Sequence, residues 1–361
     1  MDAAEFRSLF PVCRERAYFN AGTCGPLAQA AVDALTGVAA HALAEGRAKG
    51  YYESYIETRD ELRAAYARAL GAEPADVAVT TSTSEGIVRV LLGLNLATGD
   101  EVLIAADEHP GLLGPLAAVR DRLGLTVREV ALADIADAVS PATRLVACSH
   151  VGWTTGEVVP SLAGLPDDLP VLLDGAQGVG AVPVDLEALG CSFYAGSGQK
   201  WLCGPVGTGM LWVSPTWRER LRAAGPTYLN LDVPADGLQA VAAPDGRAFD
   251  AGSLSLESAA GALAAAGVLE AFGWEAIHAR ARSLAAEVAD GLRAAGRDVA
   301  PRGDTTLVTW VSGDADAEAE RLLAEGVVVR SFPGLPLVRA SVGAWNDQSD
   351  VERLLAGVSA S

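Results

Sequence analysis

The apolar run Val171-Leu172-Leu173 ends in a carboxylate, Asp174, followed by Gly175-Ala176-Gln177. Twenty-six residues beyond Asp174 comes Lys200, in the small and hydroxyl-bearing stretch Tyr194-Ala195-Gly196-Ser197-Gly198-Gln199-Lys200-Trp201. Each follows a short apolar strand, and open α/β sheets gather ligands at the carboxyl ends of their strands. An amine that loses its water there has a lowered pKa and condenses readily with an aldehyde, while small neighbours let a flat ring approach the backbone. A carboxylate opposite keeps a pyridine nitrogen protonated, so that the ring draws off electron pairs generated at Cα of an amino acid. The chemistry that suits both residues is that of pyridoxal 5′-phosphate (PLP), held as a Schiff base on Lys200 with Asp174 at its ring nitrogen.

A phosphate seat is the next requirement. Val77–Thr81 leads into Ser82-Thr83-Ser84-Glu85-Gly86 and then a helical stretch, Ile87–Leu94. Free amides and the positive end of the helix dipole at such a junction can bind a dianion. Taken alone, the same residues also read as a plain Ser N-cap with Glu in the first turn. Glu108-His109-Pro110 follows the strand Glu101–Ala105 on the same sheet edge, where the His109 imidazole can stack on a cofactor ring. Of the other three histidines, His41 and His278 fall in helical stretches, and His150 ends a strand near enough to be a second candidate.

The elements that must position these groups follow a regular alternation. From Val77 short β-branched runs alternate with longer Ala/Leu-rich stretches, the pattern of helices over a parallel sheet. Strands are expected at Val77–Thr81, Glu101–Ala105, Thr126–Val130, Leu145–Ser149, Val171–Asp174 and Phe193–Ala195. Gly207–Val213 follows a short Gly/Pro loop and is expected to run antiparallel to its neighbours, which makes about seven strands in all. Pro226, Pro234 and Pro244 interrupt the periodicity before an Ala-rich helix near Leu256. Beyond it, Thr306–Val311, Ala315–Ala324, Val327–Phe332, Leu337–Val342 and Asp347–Leu355 read as β-α-β-β-α. The expected division is a large cofactor-binding domain over residues 17–255 and a small C-terminal α/β domain over 256–361. Residues 1–16 are placed on the small domain by fold analogy.

Composition narrows the function classes. At 361 residues, half apolar and one fifth charged, the chain can bury a large core, and no apolar run is long enough to span a bilayer. The opening Met1-Asp2-Ala3-Ala4-Glu5 lacks the basic start and apolar stretch of a secretory signal, so a cytoplasmic location is expected. The net charge of −19 would repel nucleic-acid backbones and anionic lipid, which argues against either as a partner. The five cysteines show no CxxC pair and no His at metal-ligand spacing, so no metal site is expected and reduced thiols are the default.

These residues resemble the class V aminotransferase family of fold-type I PLP enzymes, which includes cysteine desulfurases, selenocysteine lyases, kynureninases and isopenicillin N epimerase-like proteins. The most specific part is the Asp174-Gly-Ala-Gln177 to Ser197-Gly-Gln-Lys200 module, continuing through Trp201-Leu-Cys-Gly-Pro205-Val-Gly207-Thr-Gly209. The resemblance implies Lys200 as the Schiff-base lysine, Asp174 as the pyridinium partner, Gln177 at the ring's phenolic oxygen and His109 stacked on the ring. Thr83, Ser84 and Ser197 match phosphate contacts. Gln199 stands where many relatives have His and still donates to phosphate. Ala251-Gly252-Ser253 matches a segment whose hydroxyl reaches the phosphate of a neighbouring subunit, implying a homodimer with shared active sites. Leu337-Val338-Arg339-Ala340-Ser341 matches the stretch whose Arg binds the substrate carboxylate as a bidentate fork. Tyr18-Phe19-Asn20-Ala21-Gly22 resembles the pocket-lining N-terminal segment, with Asn20 a substrate contact.

Two departures bear on the substrate. Trp153, in His150-Val-Gly-Trp-Thr-Thr-Gly156, stands where relatives usually carry Asn; an indole donates one hydrogen bond yet mostly fills space, so the pocket is expected to differ in shape there. Desulfurases carry sulfur on a Cys in the loop before the Arg stretch, and Val327–Pro336 contains none; Cys24 and Cys203 read as buried thiols. The implied activity is chemistry at Cα/Cβ of a small amino acid, as a C–S lyase or desulfurase-like enzyme or as an aminotransferase. Epimerisation is the alternative outcome at the same carbon, and a non-catalytic PLP-fold regulator is the alternative of another class.

Overall fold

The strands form where β-branched and apolar residues run without interruption: β1 (Ala17–Tyr18), β2 (Val77–Thr80), β3 (Glu101–Ala105), β4 (Thr126–Val130), β5 (Thr143–Ser149), β6 (Val171–Asp174), β7 (Phe193–Ser197), β8 (Gly209–Val213), β9 (Leu307–Val311), β10 (Val327–Val328), β11 (Arg330–Ser331) and β12 (Leu337–Ser341). The computed structural model describes residues 1–359. Seven of these strands make one sheet in the order β2-β8-β7-β6-β5-β3-β4. β8 runs antiparallel to both β2 and β7, as the short Gly/Pro connection before it implies, and the other pairings are parallel.

Side chains alternate across this sheet. Ala78, Leu172, Phe193, Ala195, Leu211 and Val213 face the helices Thr83–Gly93 and Pro110–Leu123, while Val77, Val79, Val171, Leu173, Tyr194, Met210 and Trp212 face the opposite core. A period of two with both faces buried is what a sheet covered on each side requires. Burying each such Val, Leu, Ile or Phe contributes roughly 1.5–3 kcal/mol. β4 is the exception: it closes one edge and is partly exposed, and Arg128 on it pairs with Glu101 of β3 at 2.9 Å. On the second face, the helices Gln29–Glu45, Lys49–Leu70 and Leu256–Phe272 pack on one another.

The helix Leu256–Phe272 is followed, across Gly273, by Trp274–Ala294 at a bend of 81°. No single helix among the described residues is long and apolar enough to cross a membrane. β9, β12 and β11 form a separate antiparallel sheet, and β10 pairs in parallel with β1. The single strand expected over Val327–Phe332 is therefore two short strands in different sheets. The N-terminal segment causes the break: Ala17–Tyr18 occupies the partner position beside Val327–Val328, and only after Val329 does the chain turn to pair with β12. The same N-terminal segment bonds to the end of β12, where the Ser341 amide donates to the Phe19 carbonyl at 2.8 Å. Arg7 ties the first helix, Ala3–Ser8, to Asp350 at 2.6 Å.

One buried ion pair fixes β2 to the helix Lys49–Leu70. Arg63 donates to both carboxylate oxygens of the fully buried Asp250, at 2.7 and 2.8 Å, and the Val79 amide donates to the same carboxylate at 2.8 Å. Arg59 lies 3.6 Å from the same carboxylate, so removing the acid would strip two buried guanidiniums of their shared counter-ion and leave Arg63 only the exposed Asp60; breaking a buried pair typically costs about 3–5 kcal/mol. Asp250→Ala is accordingly expected to lower unfolding free energy by about that amount, read from the urea midpoint at unchanged slope.

Candidate active site

Because six of the seven strands run the same way, the ends of β2, β3, β5, β6 and β7 open on one edge, and the chemistry-bearing residues follow those ends. Asp174 is the last residue of β6 and is buried; its Oδ1 accepts the Ala176 amide at 2.9 Å. Lys200 comes three residues after β7. Burial pulls the Lys200 amine down to about 8 against the opposing attraction of Asp174. Burial likewise raises the Asp174 carboxyl above its ordinary range, with Lys200 opposing. The two groups feel each other yet form no direct ion pair, which leaves space between an amine and an acid on neighbouring strands.

Gln177 reaches across the crevice. Its Nε2 donates to the Gly22 carbonyl at 2.9 Å, and its Oε1 accepts from Trp201 Nε1 at 3.0 Å. One Nε2 hydrogen stays free for an oxygen on a bound ring. His109 caps the helix Pro110–Leu123, and its Nδ1 accepts the Gly111 amide at 2.9 Å. That bond assigns the proton of the neutral ring to Nε2. Burial, helped by Lys200, Arg339 and Arg330, lowers His109 to about 4, so the ring is uncharged at neutrality.

Trp153 stands edge-on to His109 at 4.9 Å and to Phe332 at 5.1 Å, so the pocket has an aromatic corner at this position. Arg339, on β12, is buried, donates to the Trp153 carbonyl and lies 5.0 Å from the Phe332 ring centre. No carboxylate pairs with it among the described residues, and burial lowers it to about 9. His109, Trp153, Gln177, Lys200 and Arg339 line one cavity of about 170 Å³.

The phosphate-binding candidates lie at the ends of β2 and β7. Ser82 is the N-cap of the helix Thr83–Gly93, accepting the Glu85 amide at 3.1 Å, so the capping role falls to Ser82 and leaves Thr83 and Ser84 for another partner. Ser197 Oγ donates to Gln199 Oε1 at 2.6 Å. Asn20 bridges to Ser341 and borders an adjoining outer cavity. Ser253 is exposed and lines a different cavity with Tyr52 and Tyr228. His150 is a core residue: its Nδ1 lies 3.0 Å from the Tyr194 hydroxyl, and burial lowers it to about 4.

Residues not singled out from sequence also belong here. Arg330 and Phe332 line the 170 Å³ cavity, and the buried Glu108, next to His109 in the chain, accepts the Ser149 amide at 2.7 Å and hydroxyl at 2.6 Å. A lone Arg within the apolar run Val327–Phe332 was the available signal for Arg330.

PLP fits this arrangement on an observation internal to the chain. The buried polar atoms Thr83 Oγ1, Asn20 Oδ1, Trp153 Nε1, Arg339 Nε and Ser341 Oγ have no hydrogen-bond partner, although buried polar groups are normally paired. Thr83 stands at a helix N-terminus suited to a phosphate, and Arg339 faces the same cavity as Lys200. The fold and the site together define a PLP-dependent enzyme of fold-type I. The chain belongs to the aminotransferase class-V family, which it matches over residues 18–354.

A probable cysteine desulfurase of Pseudomonas aeruginosa is 31% identical over 93% of this chain and 91% of its own length. The isopenicillin N epimerase of Streptomyces clavuligerus is 32% identical over 58% of this chain, and the match spans 56% of the epimerase. Among solved structures, the cystine C–S lyase C-DES in complex with its product cysteine persulfide superposes with a TM-score of 0.90 at 26% identity, covering 97% of this chain and 99% of that one. A C-DES mutant with glycine covalently linked to its PLP cofactor gives 0.91 at 26% identity, covering 98% of both chains.

Two outcomes follow from the site. Lys200→Ala is expected to abolish the near-visible absorbance band of the lysine-linked cofactor, leaving cofactor that gel filtration strips from the protein. Glu108 is raised by burial, with Asp174 and Asp107 adding to it, to about 7. A carboxyl whose folded pKa lies above its unfolded value of about 4.3 favours folding below that value and loses the benefit as pH rises through 7. Thermal midpoints of Glu108→Gln measured from pH 4.5 to 7.5 should therefore fall less steeply with rising pH than those of the wild type.

Proposed function

We propose that the chain is a PLP-dependent C–S lyase that acts on a small amino acid bearing sulfur at Cβ. The observation that carries this reading is Arg339, a buried guanidinium with no acidic partner facing the same cavity as Lys200. A buried unpaired charge is costly, and the α-carboxylate of an amino acid supplies the missing counter-ion. Lys200, Asp174 and Gln177 would hold the cofactor at amine, ring nitrogen and phenolic oxygen, with Thr83, Ser84, Ser197 and Gln199 at its phosphate. When bound, PLP supplies the electron sink for the pair released at Cα.

The rest is the work of the chain's own side chains. Arg339 orients the substrate by its carboxylate, and Trp153 and Phe332 keep bulk water from that wall. Lys200, at about 8, carries an appreciable neutral fraction near neutrality and takes the Cα proton. Breaking the Cβ–S bond sends its electron pair to sulfur, which leaves as a thiol after protonation. With one water the overall products are pyruvate, ammonia and that thiol. The absence of Cys from Val327–Pro336 favours release of the sulfur product over transfer to a loop cysteine. The likeness to C-DES supports the same direction. We further propose a homodimer with shared active sites, because Ser253 is exposed and lies outside its own protomer's cavity.

The test supplies the holoenzyme with sulfur-substituted small amino acids and measures pyruvate, ammonia and thiol. Equal amounts of thiol and pyruvate, formed without added keto acid, are expected. Amino transfer that requires a keto acid and releases no thiol would establish an aminotransferase instead. Arg339→Gln is expected to raise KM by about 10–100-fold, the worth of hydrogen bonds to a charged group.

A further inference from the structure

We infer that Glu108 is a positioning residue of the cofactor site: a second acid beside Asp174, whose hydrogen bonds hold the turn that carries His109 and whose negative charge supports a cationic ring at Asp174. The inference rests on the PLP seat at Lys200 and Asp174 and is independent of which substrate bond breaks.

The turn after β3 is the first ground. Asp107, Glu108 and His109 follow one another there, and each side chain has a different partner. Asp107 accepts from the Thr154 hydroxyl. Glu108 is only 4% exposed and takes the Ser149 amide on one oxygen, at 2.7 Å, and the Ser149 hydroxyl on the other, at 2.6 Å. His109 then faces the cavity from the N-terminus of the helix Pro110–Leu123. The imidazole is thus carried on a turn pinned at the two residues before it.

Strand register is the second ground. Ser149 is the last residue of β5 and pairs in register with Asp174, the last residue of β6. The next amide, that of His150, donates to the Asp174 carbonyl at 2.9 Å. Glu108 is therefore bonded to the residue alongside Asp174, and the negative field of Asp174 reaches it.

Charge balance is the third ground. The acids that act on Glu108 are Asp107 from its own turn and Asp174 from β6, with the Cys148 thiol of β5 in the same field and the adjoining His109 uncharged at neutrality. Among the described residues no Lys, Arg or His forms an ion pair with it. Burial without a counter-ion outweighs its two hydrogen bonds and brings Glu108 up to about 7. A cation placed at Asp174 supplies what is lacking. It favours the Glu108 anion, and by reciprocity that anion favours the cation. The pyridinium ring of PLP is a cation of this kind.

The test measures the Kd of PLP for the apoprotein by quenching of tryptophan fluorescence, from about pH 5.5 to about pH 8.5, in the wild type and in Glu108→Gln. Gln keeps an acceptor for the Ser149 amide and a donor for its hydroxyl, so the variant removes the charge and keeps the bonding. Equal thermal midpoints at the acid end show that the fold is kept. Titrations of Lys200 and of the cofactor itself cancel in the ratio of the two Kd values. That ratio is expected to lie within about twofold of one at the acid end, where Glu108 holds its proton, and to reach about threefold or more at the alkaline end, where it is charged. With Ser149→Ala as background the same ratio should rise at a higher pH, because the lost hydroxyl favours the anion. A ratio that stays near one at every pH overturns the role of Glu108. A ratio raised equally at every pH overturns the role of its charge and leaves only the hydrogen-bonded clip. If the wild type binds no PLP at any pH, the seat at Lys200 and Asp174 falls, and this inference with it.

Discussion

The site depends on holding an amine and a carboxylate within electrostatic reach of each other while keeping them apart. Asp174 ends β6, Lys200 follows β7, and the two strands are hydrogen-bonded neighbours, so the sheet itself sets their separation. If they touched, they would neutralise each other as a buried ion pair and offer nothing to a ligand. Kept apart, each is perturbed by burial and each is left to be satisfied by a group from outside the chain.

A second sheet supplies the other half of the site, and the segment His150–Gly156 joins the halves. Asp107, after β3, accepts from the Thr154 hydroxyl, and the Thr154 carbonyl accepts from Thr309 on β9. Thr305 Oγ1 donates to the Gly156 carbonyl at 3.0 Å, and Arg339 donates to the Trp153 carbonyl. Trp153 therefore stands between two sheets whose backbones are tied to its own, and the aromatic corner it makes with His109 and Phe332 has little freedom to reshape.

Much of this was legible from residue order. The strands of the large sheet follow from uninterrupted β-branched runs, and the antiparallel course of β8 from the short loop before it. Lys200 and Asp174 could be paired because each ends such a run in a stretch of small residues. The division of Val327–Phe332 between two sheets could not be read, since it depends on a strand more than three hundred residues away in sequence, Ala17–Tyr18, occupying the pairing edge. Arg330 showed in the sequence only as a lone Arg in an apolar run; that it stands opposite Arg339 depends on register, which is not written in either strand alone. Ser82, rather than Thr83 or Ser84, takes the capping role because only the backbone geometry decides which hydroxyl lies outside the first turn.

The enclosed cations also bear on how fast an anion arrives. With a net charge of −19, the chain presents a repulsive far field to the very ligands its cavity attracts. Mobile ions damp that far field over about 8 Å at physiological ionic strength but penetrate the crevice poorly. Added salt thus eases the approach more than it weakens the final embrace, the reverse of what electrostatic steering gives enzymes whose surface and pocket share one sign.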